Sequence, residues 1–254
     1  MARAERVVFL DVGNVLIDDD PFLCEVFRLL YQTLPTESPK ARPERFWVDL
    51  ERALRVRGHQ AIEYLGFRYH GRQWPKVRKK IQRDMAEQWW ALARMIPQVP
   101  ATLQSLRESY RLGIIANQPS HVVERLNGWG LLPLFDMVLL DSHYGVGKPD
   151  ASLFRLALEQ ARVDPYDSVM VGDRLDNDVV PARRLGMRAV LIWLNVLEKG
   201  WEPEGEWGRT FWEVLKRLPV PRWDDILPKE RPMALVRRWE QMPDTLEKVW
   251  AISI

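Results

Sequence analysis

From Leu103 to Trp193 the chain alternates helix-like and strand-like segments, and this rhythm restricts the possible folds more than any other feature. Helical spacing of apolar residues marks Leu103–Tyr110, Val122–Trp129, Ser152–Ala161 and Asp178–Leu185. Short apolar runs at Leu112–Ala116, Met137–Leu140, Val169–Val171 and Ala189–Trp193 fall between them. Glycine or proline punctuates most of the joints. Val7–Leu10 is an earlier run of the same kind and ends at Asp11. Strands that are apolar throughout, rather than on alternate residues, belong to a sheet buried on both faces. The alternation therefore predicts an α/β fold with a parallel sheet and helices on both faces. Right-handed crossovers bring the carboxyl ends of such strands to one edge, which is where ligands bind in open sheets of this class.

Between the first strand and the rest, from about Pro21 to Met95, the pattern is helical. Phe22, Val26, Leu29 and Leu30 share one face and Phe46, Leu50 and Leu54 another, with a long amphipathic stretch from Trp74 to Leu92. After about Gly200 the rhythm breaks, with prolines at 203, 219, 221 and 228 and helical patterns near Trp212–Leu218 and Met233–Met242. The expected organisation is a core of residues 1–17 and 98–200, an inserted helical cap of 18–97, and an appendage of 201–254 packed on the core. The six tryptophans beyond residue 200 are read as packing.

Composition removes several classes of function. A net charge of +2 is too small to argue for nucleic acid, and the Arg-Arg pairs at 183–184 and 237–238 read as solvated helix faces. The single cysteine, Cys24, excludes a disulfide framework and a cysteine-built zinc site, and its apolar surroundings predict a packed thiol. The four histidines show no ligand spacing. No stretch approaches the roughly 18 apolar residues of a membrane span. Asp11 interrupts the first apolar run before it could serve as a signal peptide, so a cytoplasmic location is the default expectation. The sequence leaves the oligomeric state open. Asp18, Asp19 and Asp20 read as a solvated hinge into the cap.

Chemistry-bearing residues gather at the expected strand ends. Asp11 follows the first strand and Asn117 follows Ala116 at the end of the second. Lys148 lies in Gly147-Lys148-Pro149-Asp150, and Asp173 and Asp178 follow the fourth strand. Carboxylates brought together repel one another unless a cation sits between them. A few carboxylate oxygens suit Mg²⁺, which keeps waters that a substrate phosphate can replace. A carboxylate facing a phosphoryl group can attack it, and an ammonium beside it can hold a phosphate oxygen.

In order and spacing, Phe9-Leu10-Asp11-Val12-Gly13-Asn14-Val15-Leu16, Ile114-Ile115-Ala116-Asn117, Gly147-Lys148-Pro149-Asp150 and Val171-Gly172-Asp173 through Asn177-Asp178 resemble the four motifs of the haloacid dehalogenase (HAD) superfamily. The resemblance covers roughly residues 6 to 195 and implies a Rossmann-like core with an α-helical cap. It further implies a Mg²⁺-dependent hydrolase, a phosphatase acting on a small phosphorylated metabolite through an aspartyl-phosphate. Asp11 would be the nucleophile and a metal ligand, with the Gly13 carbonyl and Asp173 as further ligands. Asp178 would act on the metal through a water or through Lys148. Asn117, Lys148 and the Ala116 position would bind the phosphoryl group. Two departures stand out. The second aspartate usual in the family's phosphatases is Gly13 here, and the usual Ser or Thr of the second motif is Ala116. A subgroup of the family carries glycine at the first of these positions. The departures keep two alternatives open, a non-catalytic phosphate-ligand-binding or scaffold protein and a carbon–halogen hydrolase.

Overall fold

A computed structural model defines the fold and describes residues 6–35, 42–86 and 88–252. Its strands are β1 (Val7–Leu10), β2 (Ile17–Asp18), β3 (Arg94–Met95), β4 (Arg111–Ala116), β5 (Met137–Leu140), β6 (Ser168–Gly172), β7 (Arg188–Ile192) and β8 (Ala234–Val236). Its helices are α1 (Asp20–Gln32), α2 (Pro43–Arg57), α3 (Ala61–His70), α4 (Trp74–Ala86), α5 (Trp89–Leu92), α6 (Val99–Ser109) and α7 (Val122–Gly128). They continue with α8 (Asp141–Tyr144), α9 (Ala151–Ala161), α10 (Val180–Arg184), α11 (Val196–Lys199), α12 (Gly205–Lys216) and α13 (Met242–Ala251). The chain divides into two compact units, one of residues 1–18, 95–200 and 221–254, the other of 19–94 and 201–220.

The first unit holds a six-stranded sheet in the order β5-β4-β1-β6-β7-β8, parallel at every pairing. The α/β expectation is met. All four residues of β1 are fully buried, as a strand covered on both faces must be. On one side Phe9, Leu139, Phe154, Met170 and Leu191 join a continuous apolar cluster fed by α9 and α10. Burying such side chains stabilises by about 1.5–3 kcal/mol each. The central position of β1, between β4 and β6, places Asp11 between two other strand ends.

The second unit is helical. Its α1 buries Pro21, Cys24, Phe27 and Leu30, while Phe22, Val26 and Leu29 are only half-buried. The expected face is thus rotated, because α12 comes from far along the chain to pack on Phe27, with Phe211 at 5.9 Å between ring centres. Trp207 of α12 lies among Tyr31, Phe46 and Trp47, with the Trp47 ring at 4.4 Å, and its indole N–H donates to the Cys24 carbonyl at 3.2 Å. Burial pushes the Cys24 thiol up to about 12, consistent with a packed group.

The region after Gly200 is therefore not one appendage. Residues 201–220 belong with the helical unit, and 221–254 belong with the sheet. The helix expected over Met233–Met242 is corrected as well. Ala234–Val236 forms β8, and the helix begins at Met242. The open backbone edge of β7 accounts for this, because pairing Val190 with Ala234 and Ile192 with Val236 outweighs a weak local preference. The tail is anchored further by Arg188, which donates to the Val249 carbonyl at 2.7 Å, and by Trp239, whose indole N–H reaches the Val15 carbonyl at 2.8 Å. Among the described residues no helix is long and apolar enough to cross a membrane.

Candidate metal centre at the sheet edge

Strand register brings the site together. Leu10 is level with Ile114 of β4 and Val171 of β6, so Asp11 emerges beside Gly172, and its backbone N–H donates to the Val171 carbonyl at 2.9 Å. Asp173 is one residue further along the same edge. Asp178 returns to that edge on a wide turn, Leu175–Val179, just before α10.

Lys148 approaches from the loop before α9. Its backbone is gripped by the Asn117 side chain, which accepts from the Lys148 N–H and donates to the Lys148 carbonyl, both at 2.7 Å. A Cβ on Gly147 would lie 2.7 Å from Asn117 Oδ1, so this grip needs glycine there. Asp150 then caps α9 by accepting from the Ser152 N–H at 2.8 Å. With its backbone fixed, Lys148 extends a fully buried side chain between two carboxylates. Its Nζ lies 2.8 Å from Asp11 Oδ1 and donates to Asp178 Oδ1 at 2.5 Å. Asp11 Oδ1 also accepts from the Val12 N–H at 2.7 Å, and Asp178 Oδ2 from the Arg174 N–H at 3.0 Å.

Asp11, Asp173 and Asp178 are all buried, and each offers an oxygen within 4.8 Å of the others. Three carboxylates, against the Lys148 ammonium and the Arg174 guanidinium that acts on Asp173 and Asp178, leave an excess of negative charge in a buried place. Burial, reinforced by Asp173 and opposed by Lys148, raises the Asp11 carboxyl above its ordinary value. Asp178 is pushed up to about 7, again by burial first and by Asp11 and Asp173 against Lys148. Burial works against the charge on Lys148 too, but Asp11 and Asp178 outweigh it and hold the ammonium above its usual value. The cluster thus holds a proton near neutrality or takes up a cation in its place. That is the chemistry of a divalent-metal site, and these residues fit one.

Of the other residues singled out, Gly13 is buried in the loop after β1 and forms an isolated bridge with Ile17. Ala116 is the buried last residue of β4. Asn117 follows it, with its amide engaged on the Lys148 backbone. The solvated reading of Asp18 and Asp20 is corrected, since both are buried. Asp18 lies 3.7 Å from the Nζ of Lys199, a partner 181 positions away that no local pattern reveals. Lys199 also donates to Asn14 Oδ1 at 2.6 Å, and Asn14 Nδ2 donates to Asp173 Oδ2 at 3.3 Å. Neither Lys199 nor the side chain of Asn14 figured among the expected site residues. Asn14 had one usable signal, its place inside the first motif.

The approach of Asp178 to β6 is close enough to test. A Cβ on Gly172 would fall 2.3 Å from Asp178 Cγ, where no side-chain rearrangement confined to Gly172 relieves it. Gly172→Ala is expected to lower stability by about 1–3 kcal/mol, as overpacking does, measured by chemical denaturation. Gly128→Ala, at the end of α7 with nothing within 4 Å of the added carbon, serves as the control and should stay within about 0.5 kcal/mol of wild type. Equal stability of the two variants would contradict the contact.

Comparison with known proteins bears on this edge. The family profile described as haloacid dehalogenase-like hydrolase matches residues 5–186. A phosphoserine phosphatase of Thermus thermophilus is 37% identical over 127 residues, covering 48% of this chain and 49% of that protein. A glyceraldehyde 3-phosphate phosphatase of Pyrococcus furiosus is 35% identical over 203 residues, covering 74% and 80%. Against the Thermus protein and several others like it, the chain spans about half the relative's length. Among solved structures, a haloacid dehalogenase-like protein of unknown function from Agrobacterium tumefaciens aligns with a TM-score of 0.66 at 18% identity, over 96% of this chain and 98% of that one. A 2-haloacid dehalogenase of Pseudomonas syringae aligns with a TM-score of 0.54 at 25% identity, over 97% and 99%.

Proposed function

The chain belongs to the haloacid dehalogenase-like hydrolases, and from that premise we propose that it is a Mg²⁺-dependent phosphatase acting on a small phosphorylated metabolite through an aspartyl-phosphate at Asp11. One observation carries the reading. Three buried carboxylates meet at the sheet edge, with the Lys148 ammonium between two of them, Asp11 and Asp178, and Asp11 at the end of the central strand. The relatives named as phosphatases support the substrate class.

Asp11, Asp173 and Asp178, with the Gly13 carbonyl, are the groups that would hold Mg²⁺. When bound, the ion supplies positive charge against the carboxylates and the transferring phosphoryl group. Lys148 keeps Asp11 ionised and aimed, and offers an N–H to a phosphoryl oxygen. The Asp11 carboxylate attacks phosphorus, the bond to the leaving oxygen breaks, and the phosphoryl group rests on Asp11. Water then attacks phosphorus, releasing phosphate and restoring the carboxylate. With glycine at residue 13, no acid stands two residues past the nucleophile, so the leaving oxygen takes its proton from solvent. A positioned acid contributes about 10²- to 10⁴-fold, and substrates with good leaving groups, such as acyl phosphates or sugar 1-phosphates, suit this site best.

The test is a phosphoester panel run on the purified protein with Mg²⁺ and with EDTA, weighted toward such leaving groups. Phosphate release that requires the metal is the expected result. Mg²⁺ binding with no turnover of any ester would favour the non-catalytic reading motivated by Gly13 and Ala116. Halide release from 2-haloacids without metal would favour the dehalogenase reading.

The raised carboxyls make a second expectation. Metal ligands must be deprotonated, so binding competes with the proton that the cluster of Asp11, Asp173, Asp178 and Lys148 holds. With Asp178 at about 7, Mg²⁺ affinity should rise by about tenfold per pH unit below neutrality and level off above it. Calorimetric titration at pH 5.5, 6.5, 7.5 and 8.5 checks this, and a flat profile would contradict it.

A further inference from the structure

We infer that Lys199 is a positioning residue for Asp173, acting through the side-chain amide of Asn14. The inference rests on reading the acidic cluster as a Mg²⁺ site and assigns to that site two residues outside the ligand set.

Lys199 ends α11, the short helix after β7, and its side chain is buried, with 8% of its surface exposed. Its ammonium donates to Asn14 Oδ1 at 2.6 Å and lies 3.7 Å from Asp18 Oδ1. The opposite end of the same amide, Nδ2, donates to Asp173 Oδ2 at 3.3 Å. The four side chains form one file, Asp18–Lys199–Asn14–Asp173, drawn from three separate stretches of the first unit, residues 14–18, Asp173 and Lys199.

The chemistry of an amide gives this file its direction. An asparagine side chain has an accepting end and a donating end, and nothing in its shape decides which way it faces. An ammonium can only donate, so Lys199 claims the oxygen and forces the NH₂ toward Asp173. Turned over, the amide would set its oxygen against the Asp173 carboxylate, and the two would repel. Asp18 balances the charge of Lys199, so the file adds orientation at Asp173 without adding net charge. Lys148 differs in this respect, because it faces the carboxylates directly.

The backbone at Asn14 narrows the choice of residue there. Its φ is +52°, in the left-handed region where glycine is at ease and asparagine is the best tolerated of the side-chain-bearing residues. Of the residue types that sit there cheaply, only asparagine brings an amide. Carboxylates that ligate metals are themselves held by hydrogen bonds, and loss of such a partner typically weakens metal binding by about 10- to 100-fold.

Asn14→Gly is a clean probe, because glycine accepts the same backbone and deletes only the amide. The test is calorimetric Mg²⁺ binding at pH 8 to metal-free wild type, Asn14→Gly, Lys199→Met, the double variant and Asp173→Asn. Each single variant is expected to raise the Mg²⁺ dissociation constant about tenfold. The double variant should bind no more weakly than the singles, because both substitutions cut the same link. A merely structural contribution would not produce that non-additivity. Unchanged affinity in Asn14→Gly, or effects that multiply to about 100-fold in the double variant, would overturn the inference while leaving the metal site intact. Wild type that binds no Mg²⁺, or binds it as well as Asp173→Asn does, would overturn the metal site and this inference together. Lys199→Met takes a cation from buried Asp18. If it does not fold, the pair Asp18→Asn with Lys199→Met takes its place in the same comparison, alone and combined with Asn14→Gly.

Discussion

Asp11→Asn is expected to lose at least about 10⁴-fold in turnover of the best phosphoester substrate, the loss seen when a covalent nucleophile is removed. Asparagine is almost the same shape as aspartate, so the edge of the sheet should keep its form. Stability should move the other way. Burial raises the Asp11 carboxyl, which means that its charged form is costly to hold in the folded, metal-free protein. Removing that charge should leave the metal-free melting temperature equal to or above that of wild type. Loss of activity with retained or improved stability is the combination expected of a residue kept for chemistry. Activity within tenfold of wild type would place the nucleophile elsewhere.

Lys148→Met should have the largest effect on stability. The ammonium stands 2.8 Å from one buried carboxylate and 2.5 Å from another. Removing one member of a buried ion pair typically costs about 3–5 kcal/mol, because the remaining charges are left uncompensated. For a chain of this size that corresponds to roughly 6–20 °C in melting temperature. The pH dependence has a definite sign. Without the ammonium, the folded-state carboxyls rise further above their unfolded values. An acid shifted upward on folding loses stability as pH climbs from its unfolded value to its folded one. The penalty should therefore be larger at pH 8 than at pH 5. Mg²⁺ should recover part of it, since the ion supplies the missing charge. A metal-free melting temperature within about 2 °C of wild type at pH 8, less than 1 kcal/mol on this scale, would show that Lys148 does not stabilise the cluster. Activity should fall as well, because Asp11 loses the group that keeps it ionised.

The parts of the fold legible in the sequence were those where the signal is local and repeated. β1, β4, β5, β6 and β7 each carry a short apolar run, and the parallel topology follows from the helices between them. Once the sheet is parallel, the meeting of Asp11 and Asp173 is a matter of counting to the strand ends, while Lys148 and Asp178 come from the loops beyond β5 and β6. What stayed hidden was set by partners distant in sequence. Ala234–Val236 is three residues long, too short to show a period, and becomes a strand because β7 offers an edge. Asp18 within three consecutive aspartates reads as solvated, and its ion-pair partner Lys199 arrives from 181 residues downstream. The rotation of α1 depends on α12, nearly two hundred residues downstream, and no periodicity within α1 could have revealed it. Asn117 shows a subtler limit. Its position at the strand end was readable, but its engagement with the Lys148 backbone was not.

The placement of β8 has a consequence for how the molecule is made. About forty residues separate it from β7, and much of that interval folds into the helical unit rather than onto the sheet. A ribosome adding about 5–20 residues per second needs roughly 2–8 s to cover that distance. Throughout that interval the newly laid Arg188–Ile192 segment presents a bare row of backbone donors and acceptors, a template on which a neighbouring nascent chain could add a strand of its own. The three residues of Ala234–Val236 thus act as a selvedge, closing a margin that stays sticky until they arrive.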